Sequence, residues 1–223
     1  SPRASLESNF ALRTLVGPDR FYAGVSDTEW DALTAVRDTL RESPARSASL
    51  SDTAASDAVL VLGEDVTNTA PMIALSLRQA VRNQPIRRAE AMKVPRWDDY
   101  SGRGLLQGER GPLYIASPFP THLDDVATET LLAAPADIAR FGFAVAHAID
   151  STAPAVPDIS ASMAERAAAV AESLLGAQSP LVVSGASLGS TPVIQAAGAV
   201  VRALCQAGRV ARLSLAVPEC NSM

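Results

Sequence analysis

The sequence predicts a doubly wound α/β fold with a mainly parallel sheet in Rossmann-like layers. Two segments support this prediction, because each runs in the order strand, glycine-containing turn, helix. In the first, residues 58–62 form a continuously apolar run that ends at Gly63, and a helix with Pro71 in its first turn follows. A continuous apolar run is typical of a parallel strand that is covered on both faces. Proline is favoured at the start of a helix.

The second segment lies near the C-terminus and has the pattern of a complete βαβ unit. An apolar strand at 181–183 leads into a turn at 185–191, and a helix begins near Pro192. Gly208 suits the C-terminal cap of this helix, and the next strand is predicted at 213–217. The crossover between the two strands should be right-handed.

The remaining elements also alternate between helix and strand, as a doubly wound fold requires. A capping box at Ser26 and Glu29 begins an amphipathic helix that Pro44 ends. Further along the chain, the predicted elements are a strand at 113–116 and helices at 136–149 and 161–175.

The sequence divides into two parts. Residues 1–56 are predicted to be a helical and linker segment, in which the Ala- and Ser-rich stretch 45–56 is a linker or exposed loop. Residues 57–223 form the Rossmann-like α/β region. Within it, residues 84–111 are predicted to be an irregular excursion, because prolines and glycines surround Trp97. The chain begins in polar sequence and stops just after a strand-like run, so we expect it to be a piece of a longer protein.

Composition and charge argue against two classes of partner. The formal net charge is −5 and the isoelectric point is near 5.1, whereas nucleic-acid-binding proteins concentrate Lys and Arg on a basic face. The densest basic cluster, 82–88 with Lys93 and Arg96, is predicted to be a solvated loop or a contact to an acidic neighbour. No apolar run approaches the roughly 20 residues of a membrane helix, so no membrane span is expected.

No metal site is predicted within this chain. Cys205 and Cys220 are its only thiols, and neither belongs to a C-x-x-C pair. His122 is predicted to lie in a loop, and His147 in the core or boundary of a helix. Adjacent carboxylates without such partners are predicted to be solvated, at 64–65, 98–99 and 124–125. The N-terminus lacks the apolar core of a signal peptide, so a cytoplasmic, reducing setting is expected.

Residues 185–189 spell G-x-S-x-G between a strand and a helix, which is the context of a nucleophile elbow. A serine hydrolase that uses Ser187 is therefore one hypothesis. The elbow order places the acid and then the histidine after the serine, whereas His122 and His147 both precede Ser187. Small residues are also common wherever a strand turns tightly into a helix. No catalytic residue is predicted.

The same turn resembles a helix N-terminus that offers backbone amides to an anion, which raises a phosphate site as a second hypothesis. It is not a Walker A loop, because no lysine follows Gly189. It is not G-x-G-x-x-G either, because Ser187 and Ser190 stand where glycines belong. The corresponding loop at 63–69 carries two adjacent acids whose charges would repel a phosphate. Nucleotide binding therefore has little support in the sequence.

Three parts of the chain carry a resemblance to a known family: NFALR at 9–13 with GPDRFY at 17–22, DAVLVLGEDVTNTAPMIALSLRQA at 57–80, and residues 179–223. In these parts the sequence resembles the molybdopterin-oxidoreductase-like region of the G subunit, the large iron–sulfur subunit of bacterial respiratory complex I (NADH:quinone oxidoreductase). The likeness covers nearly the whole chain.

This resemblance implies a parent subunit that holds several iron–sulfur clusters on N-terminal segments and relays electrons from NADH toward quinone. It also implies a peripheral position on the cytoplasmic side of the bacterial inner membrane, with other segments and subunits of complex I as partners. None of the cluster-binding cysteine motifs is present in this sequence, so no cofactor is expected in this chain itself.

In related molybdenum enzymes, loops at the strand ends help to bind the pterin nucleotide. The resemblance places the corresponding cleft at Gly63, Thr67, Asn68, Gly185, Ser187, Gly189 and Ser190. In the complex I subunit this pterin site is understood to be empty, and the acids Glu64 and Asp65 fit a disused cleft.

Two further hypotheses follow from the resemblance. In the first, the chain is a scaffold that braces the cluster-bearing part and the neighbouring subunits. In the second, it is a cofactor-binding domain of a working molybdopterin guanine dinucleotide oxidoreductase, with a cleft across its strand ends.

Overall fold

The computed structural model describes residues 4–22, 24–95, 97–98, 100 and 108–217. Its centre is a six-stranded sheet in the order β1-β6-β5-β2-β3-β4, and every neighbouring pair is parallel. The strands are β1 Arg46–Ser47, β2 Ala58–Leu62, β3 Leu113–Ser117, β4 Glu129–Leu132, β5 Pro180–Gly185 and β6 Arg212–Ala216. The predicted doubly wound α/β fold is confirmed.

Helices connect the strands and flank the sheet. Those that the structure describes are α1 Leu6–Val16, a 3₁₀ turn at Pro18–Arg20, α2 Asp27–Glu42, α3 Leu50–Ala55, α4 Val66–Thr69, α5 Pro71–Ala80, α6 Asn83–Ala91, α7 Pro135–Ile149, α8 Ala161–Gly176 and α9 Thr191–Gln206. Helix α2 begins with the predicted capping box, since Ser26 Oγ accepts from the amide of Glu29 and Glu29 Oε2 accepts from the amide of Ser26. Gly208, just past α9, has the positive φ of 78° expected at a helix C-terminus.

Strand β2 shows why the central strands are apolar throughout. Leu60 and Leu62 face a core that α7, α8 and α9 complete, whereas Val59 and Val61 face the core that includes α5. Successive side chains of a strand point to opposite faces, so a sheet covered on both sides needs apolar residues at every position. All five residues of β2 are buried.

The stretch 45–56 was predicted as a linker or loop, and that prediction is wrong. Strand β1 pairs with β6, and α3 follows with a capping box of its own. Ser49 Oγ accepts from the amide of Asp52, and Asp52 Oδ2 accepts from the amide of Ser49. The helix was missed because it is six residues long and carries aspartate where a capping box usually has Glu or Gln.

Residues 84–91 were predicted to be irregular, but they form most of α6. Pro85 misled the prediction: it stands in the first turn, where its missing N–H costs no helical hydrogen bond. Residues 96, 99 and 101–107 lie outside the described chain. Strand β4 was also missed, because it is an edge strand of four half-buried or exposed residues without an apolar run.

Candidate functional site

The predicted cleft residues lie on two loops that meet at the centre of the sheet. Strands β2 and β5 are neighbours, and the chain leaves them in opposite directions, from β2 to β3 and from β5 to β6. This is a topological switch point, where doubly wound sheets bind ligands outside the carboxyl ends of the strands. The loop after β2 and the loop after β5 are therefore the candidate site.

Glu64 joins these two loops. Its Oε2 accepts hydrogen bonds from Ser187 Oγ at 2.9 Å and from the Ser187 amide at 3.3 Å. Its Oε1 accepts from Thr69 Oγ1 at 2.6 Å, and that hydroxyl also lies 3.0 Å from Asp65 O. Glu64 is 1% exposed, so the prediction that this acid is solvated is wrong, because donors from both loops bind its carboxylate. A carboxylate thus fills the space between the loops, held by neutral donors.

Two glycines allow the loops to approach so closely. A Cβ atom at Gly63 would lie 2.7 Å from Val193 Cγ1 and 2.9 Å from Leu188 Cδ1, and Gly63 has a φ of 70°. A Cβ atom at Gly185 would lie 2.7 Å from the carboxylate carbon of Glu64 and 2.6 Å from the carbonyl oxygen of Ala216. Both positions require glycine because other parts of the chain occupy the space.

The other predicted cleft residues make local contacts. Thr67 and Asn68 donate to the side chain of Asp65, which caps α4, with Asn68 Nδ2 at 2.5 Å. Gly189 has a φ of 60° and donates its amide to Ala186 O at 2.9 Å. Ser190 stands at the N-cap of α9 without a side-chain cap bond. The structure therefore brings the seven residues to one edge of the sheet and adds Glu64 between them.

Ser187 has no histidine partner among the described residues. Its hydroxyl donates to Glu64. His147 Nδ1 lies 2.7 Å from Ala153 O, beyond the end of α7, and His122 lies in the loop after β3, where its carbonyl accepts from Arg78. The serine of a nucleophile elbow works with a histidine base, and neither described histidine contacts Ser187, so the geometry does not favour the hydrolase hypothesis.

Two arginines of the basic cluster pair with acids of the same chain. Arg87 Nη1 lies 3.0 Å from Asp57 Oδ2, and Arg88 pairs with Glu109. Of the two acids at 124–125, Asp124 accepts hydrogen bonds from Thr121. Asp125 accepts hydrogen bonds from both terminal nitrogens of Arg78. These bonds from Arg78 hold the pKa of Asp125 below its ordinary value. Asp124 and Asp125 thus bind separate partners.

Cys205 is half-buried in α9, and Cys220 lies outside the described residues. Within the described ranges, no three His, Cys, Asp or Glu side chains lie close enough to share a metal ion. No helix in the part of the chain that the structure describes is both long and apolar enough to cross a membrane.

A groove of about 830 Å³ lies away from the candidate cleft. Its lining comes mainly from α3, which precedes β2, and from α6 and residues 94–95, 98 and 108–109, which precede β3. It therefore lies toward the amino ends of the strands, opposite the edge where this fold binds its ligands.

Fold and site together define a class: a parallel, doubly wound α/β region whose switch-point cleft is filled by its own glutamate. The particular relatives are G subunits of NADH-quinone oxidoreductase. The chain is 46% identical to that of Pseudomonas fluorescens, 47% to that of Pseudomonas putida and 42% to that of Escherichia coli K12, in each case over all 223 residues. The resemblance seen in the sequence is confirmed.

The chain spans about a quarter of the length of these relatives. No protein-family model matches it. Among solved structures, 84% of the chain aligns with 43% of a chain of the formyltransferase/hydrolase complex from Methylorubrum extorquens in complex with methylofuran. The TM-score is 0.45 and the identity 14%, which is too distant a likeness to bear on function.

Proposed function

We propose that this region is a structural scaffold within the large iron–sulfur subunit of a bacterial NADH-quinone oxidoreductase. In this proposal the complete subunit relays electrons from NADH toward quinone through iron–sulfur clusters held outside the region. The observation that carries the proposal is the buried carboxylate of Glu64, which fills the switch-point cleft by bonding to Ser187 and Thr69. A domain that binds a cofactor would need that cleft open.

The residues of the chain do not fit either cofactor that the sequence resemblance raises. Iron–sulfur clusters are usually held by four cysteine thiolates, and this chain has two cysteines, at separate positions. A pterin nucleotide would have to enter between the loops, where Gly63 packs against Leu188 and Val193. Its phosphates would also meet the carboxylate of Glu64, and like charges at short range repel each other. The molybdopterin hypothesis is therefore the weaker alternative.

Helix α1 supports a role in contacts with other parts of the complex. It has no buried residue, and Leu6 and Phe10, which are one turn apart on the same face, are 80% and 64% exposed. Neighbouring exposed apolar side chains are typical of surfaces that meet another protein segment. We propose that its partners are other segments and subunits of complex I, at the cytoplasmic side of the bacterial inner membrane and peripheral to it.

A pair of glycine variants in the complete subunit tests the scaffold role. Gly185→Ala should displace the Glu64 carboxylate that lies between the two loops. Gly176→Ala adds a methyl group where nothing lies within 4 Å. We expect Gly185→Ala to lower the amount of assembled complex and to leave NADH:quinone turnover per assembled complex unchanged. Gly176→Ala should change neither quantity. A fall in turnover per assembled complex with Gly185→Ala would contradict the scaffold role, because the cleft would then act in the reaction.

A further inference from the structure

The carboxylate of Glu64 lies where this kind of turn would hold an anion. The Ser187 amide belongs to the loop that leads from β5 into α9, and its donor points at Glu64 Oε2. Backbone amides at a strand-to-helix turn are a common anion-binding feature. Here the hydroxyls of Ser187 and Thr69 converge on the same carboxylate. A buried carboxylate with three hydrogen bonds from two loops is thus the arrangement of a bound anion, made within one chain.

We propose that Glu64 is a built-in occupant of an anion site, and that removing its carboxylate exposes a binding site for a small carboxylate such as acetate. Glu64→Ala deletes one methylene and the carboxylate, which together correspond closely to one acetate ion. The two oxygens of acetate would accept from Thr69 on one side and from Ser187 on the other, as Oε1 and Oε2 do now. The substitution leaves the Thr69 hydroxyl and the amide and hydroxyl of Ser187 without their acceptor, which favours binding of such a ligand.

The surroundings set the size of the ligand. Gly185 lies against the carboxylate, and Leu188 and Val193 press on Gly63. The contacts of Leu188 and Val193 with Gly63 involve no atom of the Glu64 side chain, and Gly185 also lies against the carbonyl oxygen of Ala216, so these walls remain after the substitution. Ser187 and Thr69 are themselves exposed, which gives a small ion a way in from solvent. Acetate should therefore bind, whereas a branched or aromatic carboxylate should not.

The test is thermal unfolding of the Glu64→Ala chain in sodium acetate and in sodium chloride at equal ionic strength. We expect a saturable rise in Tm of about 2–4 °C with acetate several times above its Kd. Benzoate should give no such rise. If Glu64→Ala does not fold in chloride, the yield of folded chain after refolding in acetate and in chloride is compared instead, and acetate should give the higher yield.

Two matched variants separate binding from general salt effects. Glu64→Gln fills the same volume with a neutral amide, so its Tm should not depend on acetate. The double variant Glu64→Ala with Ser187→Ala lacks one donor and should respond less. Equal behaviour of Glu64→Ala in acetate and chloride, in Tm or in refolding yield, would overturn the inference, and so would an equal acetate response of Glu64→Gln. Neither result bears on the scaffold role, which fails instead if the unsubstituted chain binds a cofactor nucleotide.

Discussion

Gly185 lies so close to Glu64 that a Cβ atom at position 185 would stand 2.7 Å from the carboxylate carbon. The glycine ends β5, and the acid follows β2 by two residues. Their contact joins the two central strands of the sheet at the edge where ligands of this fold usually bind. The contact between the two loops thus depends on a small residue in one loop and an acidic residue in the other.

Gly185→Ala should destabilise the chain by about 3 kcal/mol, because the methyl group displaces a buried carboxylate and meets a backbone carbonyl. Gly176→Ala is the matched control, since its position at the end of α8 has open space. It should be neutral or stabilising by up to about 1 kcal/mol. Urea unfolding measures both values. Equal free energies of unfolding for the two variants would show that the contact at Gly185 is not as close as described.

Gly189→Val should lower the free energy of unfolding by about 1–3 kcal/mol. Gly189 has a φ of 60°, a region that a β-branched residue rarely adopts, and a Cβ atom there would lie 3.1 Å from Thr28 Cγ2. Gly189→Asn is the control, because asparagine tolerates a positive φ better than other residues. Its loss should be clearly smaller in the same thermal or urea unfolding experiment. Unchanged melting of the valine variant would contradict the placement of the turn.

Asp57→Ala should lower the free energy of unfolding by about 1–3 kcal/mol. The buried carboxylate of Asp57 accepts from the amides of Gln178 and Ser179 at 3.0 and 2.8 Å, as well as from Arg87. Arg87 is 38% exposed, so its charge can rehydrate, and the amides account for much of the loss. Arg88→Ala breaks the exposed pair with Glu109 and should change stability by less than about 0.5 kcal/mol. A similar loss for both would contradict this difference.

The capping box of α2 should make stability depend on pH. The bonds from the Ser26 amide and hydroxyl hold the pKa of Glu29 below its ordinary value of 4.5. A carboxyl whose pKa is lower in the folded state contributes stability above the unfolded pKa and loses it as pH falls through the folded value. Glu29→Gln keeps an acceptor but does not titrate, so stability should fall less steeply below about pH 4.5. Identical slopes in denaturation series at several pH values would contradict this.

Phe10→Glu should leave the stability of the isolated chain almost unchanged, because Phe10 is 64% exposed and α1 has no buried residue. In the complete subunit the same change should lower the amount of assembled complex, since it places a charge on the apolar surface that Phe10 shares with Leu6. Ser8→Glu, exposed on the opposite side of α1, is the control for added charge alone. Unchanged assembly with Phe10→Glu, measured by native gel electrophoresis, would remove α1 from the proposed contact surface.

The fold could be predicted from the sequence wherever apolar runs and caps were strong. Strands β2, β5 and β6 and helix α9 are largely buried elements with clear apolar patterns, and α2 is marked by its capping box. Elements at the periphery were missed because their own sequences carry weak signals. β1 has two residues and β4 has one neighbouring strand, while α1 buries nothing in this chain.

The position of the two loops could also be predicted, since a strand followed by a glycine and a helix marks the carboxyl edge of a parallel sheet. The role of Glu64 could not. In sequence it is one of two adjacent acids. Its carboxylate meets Ser187, 123 positions further along the chain, only because β2 pairs with β5. The useful signal was Gly185, whose missing side chain makes room for the carboxylate.

The most direct test of the closed cleft is a calorimetric titration of the purified chain with GDP, together with metal analysis and an absorbance spectrum. GDP represents the guanine nucleotide part of the cofactor in the alternative hypothesis. We expect no heat of binding, no bound metal and no chromophore, because Glu64 and the packed glycines leave no room for the nucleotide. Saturable binding of GDP, or a pterin that purifies with the chain, would contradict the account and favour a working molybdopterin domain.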